Sequence, residues 1–273
     1  MPGMTMHLFI FGMGYTAGYL ASYLRREGWT VAGTRRTSDE DSVAFDDVGA
    51  VTSELARATH ILSSIPPSKD GGDPVLEKYG EAVRSAPAKW VGYLSSTGVY
   101  GDVGGAWVDE SAPIGSGRRK ARSEADMAWQ KLREDMRIFR LPGIYGPGRS
   151  AIERVRSGKA RRIDLPNQVF SRVHVDDIVG GILASFDKPS GIFNLSDDRP
   201  CAQNEVIEYA CDLLGLPYPP LESLKDANLS PMAQGFYAEN RRVCNRKAKR
   251  LLGWEPRFAD YKIGLNAIGR KLD

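Results

Sequence analysis

Phe11-Gly12-Met13-Gly14-Tyr15-Thr16-Ala17-Gly18 carries the spacing G-x-G-x-x-A. It stands between an apolar run, His7–Phe11, and a stretch, Tyr15–Glu27, whose apolar residues recur at helical spacing. A strand, a glycine turn and a helix in that order form the first half of a βαβ unit. Gly12 permits the tight turn, Gly14 lets the backbone approach a pyrophosphate, and Ala17 keeps helix and strand close. The helix start adds free N–H groups and a favourable dipole for phosphate. Gly12, Gly14, Tyr15, Thr16 and Ala17 are therefore candidate dinucleotide-binding residues, a plain tight turn being the alternative.

Working outward, short apolar runs alternate with helical patterns. Trp29–Thr34, His60–Ile65, Trp90–Ser95, Met136–Leu141 and Gly191–Leu195 read as buried strands. Helical stretches cover Arg122–Glu134 and Asp176–Phe186. Buried strands joined by helices imply an α/β fold, a Rossmann-type doubly wound parallel sheet covered on both faces. After Asp197 the texture changes: a helix over Asn204–Leu214, a break at Pro217, Pro219 and Pro220, a loop-rich stretch to Asn240, a basic segment Arg241–Arg250 and a tail with Trp254. The expected division is a dinucleotide-binding domain of residues 1–148 and 173–196, with a smaller C-terminal substrate lobe of residues 149–172 and 197–273.

Roughly twenty residues beyond the glycine turn, a protein specific for NAD places an acidic residue against the ribose 2′-OH. This chain has Gly33-Thr34-Arg35-Arg36 instead. Arg35 and Arg36 suit a 2′-phosphate, which favours NADP over NAD; a solvated basic turn is the alternative. Ser63 and Ser64, at the end of the His60–Ile65 strand, are expected along the cofactor.

Composition narrows the partners. The 273 residues carry 37 basic and 34 acidic side chains, a net charge of +3, with no basic stripe interleaved with aromatics, so nucleic acid is set aside. No window approaches the ~20 apolar residues of a membrane span, and the N-terminus lacks a secretory pattern. A soluble cytoplasmic protein is expected. Three cysteines, Cys201, Cys211 and Cys244, form no C-x-x-C pair, and the histidines His7, His60 and His174 are scattered, so no metal site is expected.

Further segments resemble the extended short-chain dehydrogenase/reductases, the NAD(P)-dependent epimerase/dehydratase family. They are Tyr93-Leu94-Ser95-Ser96-Thr97-Gly98-Val99-Tyr100-Gly101, Arg140-Leu141-Pro142-Gly143-Ile144-Tyr145-Gly146, Arg172-Val173-His174-Val175-Asp176-Asp177, Gly191-Ile192-Phe193-Asn194-Leu195 and Leu252-Gly253-Trp254-Glu255-Pro256. They cover nearly the whole chain in family order. The resemblance implies a Ser, a Tyr and a Lys at the reaction centre, the last two spaced Y-x-x-x-K. Ser96 matches the serine and Lys120 the lysine, counted from Glu124, but Ser116 stands where the tyrosine belongs. The atypical members of the family also lose part of this set. A phenol lowered by a neighbouring lysine moves a proton at a substrate oxygen; a serine hydroxyl is far less acidic and too short to reach.

Lys120 could still meet the nicotinamide ribose, or be a solvated member of Arg118-Arg119-Lys120. Tyr100 and Tyr145, both after strand ends, are candidate replacement acids, with packing at the turn as the alternative. Asp73 reads as a helix N-cap. His174 reads as structural. Arg172 and Arg242 are candidates for anionic substrate groups, and Arg241–Arg250 reads as a solvated helix face. Cys201 and Cys211 read as inert packing.

The expected function is an NADP(H)-dependent oxidoreductase, epimerase or dehydratase-like enzyme acting on a small carbonyl or sugar-derived substrate. A non-catalytic NADP(H)-responsive protein is the alternative. The resemblance also implies a homodimer through a two-helix contact.

Overall fold

The computed structural model of the chain describes residues 6–117 and 120–270. Arg118 and Arg119 of the basic cluster, and the first five residues, lie outside them. The chain divides into two units.

The first unit holds residues up to 96, 120–140 and 182–193. Its centre is a seven-stranded sheet of β1 (His7–Phe11), β2 (Thr30–Arg35), β3 (Ser42–Ala44), β4 (His60–Ser63), β5 (Trp90–Ser96), β6 (Met136–Leu141) and β7 (Gly191–Asn194). The spatial order is β7-β6-β5-β4-β1-β2-β3. β1 pairs in parallel with β2 and β4, β2 with β3, and β4 with β5. The order reverses between β1 and β4, and that switch point is where open α/β sheets bind ligands at the strands' carboxyl ends. Among the described residues, helices packed with this sheet include α1 (Tyr15–Arg26), α2 (Val48–Arg57), α3 (Pro74–Ser85) and α4 (Lys120–Gln130).

Burial on both faces explains the near-continuous apolar strands. One face packs Phe9, Phe11, Val51, Leu55, Val75, Tyr79, Tyr93 and Trp129 into a single cluster. On another set of contacts, the His60 ring meets Trp29, Trp90 and Phe186 at 4.6–6.0 Å between centroids. Burial there pushes the His60 imidazole down to about 4. Asp73 caps α3, its Oδ1 accepting from Val75 N and Leu76 N at 3.0 Å, as its place before Pro74 suggests.

The second unit holds residues 97–117, 141–181 and 194–270. Helices Ala151–Arg156, Gln203–Leu214 and Tyr261–Gly269 enclose a core that includes Ile152, Ile207, Ala210, Leu265 and Ile268. Short parallel strand pairs complete it: Gly143–Tyr145 with Arg172–His174, Arg162–Asp164 with Leu221–Ser223, and Trp107–Val108 with Arg242–Val243. Two of the segments that resemble the family lock together here. Asp177 accepts from Arg257 N and Phe258 N at 2.7 and 3.1 Å, while Trp254 Nε1 donates to the Asp177 carbonyl at 3.0 Å.

The two units divide the chain differently from the expected domains: residues 97–117, 141–148, 173–181 and 194–196 fall in the second, where the chain after β5 and after β6 pairs with Arg242–Val243 and Arg172–His174.

Candidate dinucleotide site and its surroundings

The glycine turn sits directly after β1 and opens α1. Gly12 has φ +86°, and a Cβ there would lie 2.7 Å from Ile65 Cγ1, so only glycine fits. Its N–H donates to Thr34 Oγ1 at 2.9 Å and its carbonyl accepts from Ser64 Oγ at 2.5 Å. Met13 N donates to the Thr34 carbonyl at 2.9 Å. The turn is thus pinned from β2 on one side and from the end of β4 on the other.

Above the turn the donor set suits a dinucleotide. Gly14 is the N-cap of α1 and has no side chain with which to cap it, the arrangement that suits a phosphate at a helix start. A Cβ on Gly14 would meet nothing within 4 Å, leaving room for a pyrophosphate. Thr16 and Ala17 are buried against the sheet, and the Tyr15 ring lies 5.1 Å from that of Tyr19. Ser63 Oγ is fully buried and has no hydrogen-bond partner. Such an orphan hydroxyl at a strand end calls for a ligand or a water. Arg35 closes β2, its Nε 3.0 Å from Asp39 Oδ2, and Arg36 beside it is exposed. Ser63, Ser64, Arg35 and the turn are therefore brought together on the first unit; Thr34, which pins the turn, was missed because a threonine inside a strand carries no distinctive signal.

The reaction-centre candidates separate. Ser96 ends β5, half-buried. Lys120 is 83% exposed and pairs with Glu124 at 3.3 Å along the outer face of α4, the arrangement of the solvated alternative. Tyr100 is buried in the second unit with its hydroxyl donating to Asn194 Oδ1 at 2.8 Å. Tyr145 packs edge-on to His174, and burial together with Asp197 and Asp177 pushes its phenol well above the usual range. Both tyrosines are buried, which fits the packing alternative. Ser116 donates to the Tyr100 carbonyl at 2.9 Å and stays within its own loop. His174 is buried between Tyr145 and Phe258, a structural place as expected.

In the second unit, a cavity of about 380 Å³ is lined by Arg149, Ser150, Arg154, Arg172, Gln203 and aromatic rings. Arg172 is buried and donates to the Phe170 and Cys201 carbonyls, Cys201 Sγ and Gln203 Oε1, all neutral acceptors. Arg241 and Arg242 donate to the carbonyls of Gly101 and Gly105, so they are loop clamps rather than part of a solvated helix face. Burial pushes the Cys201 thiol up to about 11, which makes it inert at neutral pH.

The chain matches a conserved protein of unknown function from Silicibacter pomeroyi at 40% identity, covering 98% of this chain and 99% of that one, with a TM-score of 0.90. A human epimerase family protein solved with NADPH aligns at a TM-score of 0.79 and 16% identity, covering 97% and 99% of the two chains. A dTDP-glucose 4,6-dehydratase from Bacillus anthracis solved with NAD aligns at 0.76 and 16%, covering 97% and 96%. The chain belongs to one family with the Silicibacter pomeroyi protein and has the extended short-chain dehydrogenase/reductase fold. By sequence it matches no protein-family model and no curated protein. No helix among the described residues is long and apolar enough to cross a membrane.

Proposed function

We propose that the chain is an NADP(H)-dependent oxidoreductase, or an epimerase or dehydratase of the same chemistry, acting in the cytoplasm on a small carbonyl or sugar-derived substrate. The observation that carries this reading is the glycine-capped start of α1 with open space at Gly14, and Arg35 and Arg36 at the end of the adjacent strand. Gly12, Gly14, Tyr15, Thr16 and Ala17 would hold the pyrophosphate, Arg35 the 2′-phosphate, and Ser63 and Ser64 the path toward β5. When bound, the dinucleotide supplies hydride transfer. Ser96 polarises the substrate oxygen.

Binding to NADPH and NADH tests the cofactor assignment. Arg35→Ala should weaken NADPH about 10- to 100-fold, the worth of a charge-assisted contact, and leave NADH within about twofold. Equal affinities of the unaltered protein for both cofactors would overturn the preference.

Ser116 and the outward Lys120 favour a second reading, a non-catalytic NADP(H)-responsive protein whose bound cofactor biases a partner or a second copy of the chain. Turnover separates the two. An enzyme oxidises or reduces carbonyl substrates at a rate that Ser96→Ala lowers about 100-fold or more, the scale of a lost oxyanion donor. A sensor binds NADPH and shows no such chemistry with any substrate.

A further inference from the structure

The connection from β2 to β3 brings an acid to Arg35 from four residues further along the chain. Arg35 Nε stands 3.0 Å from Asp39 Oδ2, and both side chains are about half exposed. The spacing rule for dinucleotide sites looks for an acid at the end of β2, where this sequence has Arg35 and Arg36. Folding returns one from beyond that point.

An exposed pair of two loose side chains would mean little. This pair is held from the acid's side. Ser42 Oγ and Asp41 N donate to Asp39 Oδ1 at 2.6 and 3.1 Å, and Asp39 N donates to the Ser42 carbonyl at 3.1 Å. Ser42 is buried at the start of β3, in register with Gly33 of β2. Gly33 has no room for a side chain, because a Cβ there would lie 2.6 Å from the Ile10 carbonyl oxygen and from Met13 Cγ. Met13 belongs to the glycine turn. The contacts therefore run without a break from that turn through β2 and β3 to Asp39. They engage Oδ1 and leave Oδ2 to Arg35. Arg25 on α1 ties down the same bend, its Nη1 3.2 Å from Asp41 Oδ2. The Ser42 hydroxyl above all, with the Asp41 N–H and Arg35, holds the Asp39 carboxyl below its ordinary value, so it is ionised at neutral pH.

The cation that suits a 2′-phosphate is thus already engaged by a fixed carboxylate. A phosphate monoester carries about −1.5 to −2 charges at pH 7 and asks for the same guanidinium, whereas a 2′-hydroxyl does not. Before Arg35 serves the phosphate it must release Asp39 or divide its charge between two anions. We propose that Asp39 is a specificity-determining residue: it competes with the 2′-phosphate for Arg35, and so narrows the margin by which the site prefers NADPH to NADH. The inference rests on the dinucleotide reading above, and it adds to that reading a residue that sets how strict the preference is.

Calorimetric titration of the full chain with NADPH and with NADH tests it. Asp39→Asn keeps an oxygen for the Ser42 and Asp41 donors and removes the charge, so the bend should persist. It should tighten NADPH about fivefold, the upper range for an exposed ion pair, and leave NADH within about twofold. In an Arg35→Ala background the same change should leave NADPH within about twofold, since no guanidinium remains to compete for. Unchanged or weaker NADPH binding in Asp39→Asn overturns the inference, and so does a fivefold gain that survives in Arg35→Ala. A loss confined to NADH overturns it too, because Asp39 would then be the acceptor of the ribose hydroxyl. If Arg35→Ala weakens NADPH while Asp39→Asn leaves it untouched, the cofactor reading stands and this inference alone falls. If the unaltered protein binds neither nucleotide, both fall.

Discussion

Asp126→Ala will lower the unfolding free energy by about 3–5 kcal/mol, the usual cost of removing one partner of a buried ion pair. Asp126 on α4 is fully buried, and Arg140 on β6 is 2% exposed. The guanidinium grips the carboxylate with two bonds, Nη2 to Oδ1 at 2.8 Å and Nε to Oδ2 at 3.1 Å. Ser95 Oγ and Gln130 Nε2 donate to the same carboxylate at 2.5 and 2.6 Å. Alanine strands a buried cation and removes the acceptor of all these donors. Domains are stable by only ~5–15 kcal/mol, so the loss should show as a large drop in the urea midpoint. A double variant, Asp126→Leu with Arg140→Met, should recover most of it, because an apolar pair of similar volume needs no charge compensation. A double variant as unstable as Asp126→Ala alone would show that the cost lies in packing rather than in the stranded charge.

Acid will weaken the fold through His60. Its imidazole falls from an ordinary 6.5 to about 4 because burial among Trp29, Trp90 and Phe186 disfavours the charged form, with Arg137 adding repulsion. The unfolded chain therefore binds the extra proton between those two values. Stability is fully present above 6.5 and is lost as pH falls toward 4, by about 3 kcal/mol in all. The check is urea unfolding of the unaltered protein and of His60→Phe at pH 7 and pH 4.5. The variant should gain relative to the parent as pH falls. Curves that stay parallel would mean that the ring titrates in the fold as it does in the open chain.

The parts of the fold that could be read beforehand share one property: their signal is local. β1 and β6 occupy the expected residues, His7–Phe11 and Met136–Leu141, because each is an apolar run bounded by turn residues. The glycine turn is equally local. β3, of three residues, and the two-residue strand Trp107–Val108 carry no periodicity to read, since they exist only through pairing with distant segments. The candidate site divides the same way. Arg35, Ser63 and Ser64 follow from strand ends. Lys120 could be placed by counting but not oriented, because the phase of α4 is set by which side chains pack under β5. Composition does not distinguish the half-buried Arg122 from the exposed Lys120. Tyr100 and Tyr145 gave the opposite problem: their position after strands was visible, their burial was not.

The order in which strands occur along the chain bears on how the protein is made. β1 to β5 all emerge from the ribosome within the first 96 residues, but β5's other neighbour, β6, is residues 136–141, and β7 follows only at 191–194. At about 5–20 residues synthesised per second, β5 waits a few seconds as an open edge with Trp90 of the future core uncovered. During synthesis, then, the first unit is a sheet begun early and closed late, and its vulnerable interval is set by the length of the chain that intervenes before β6.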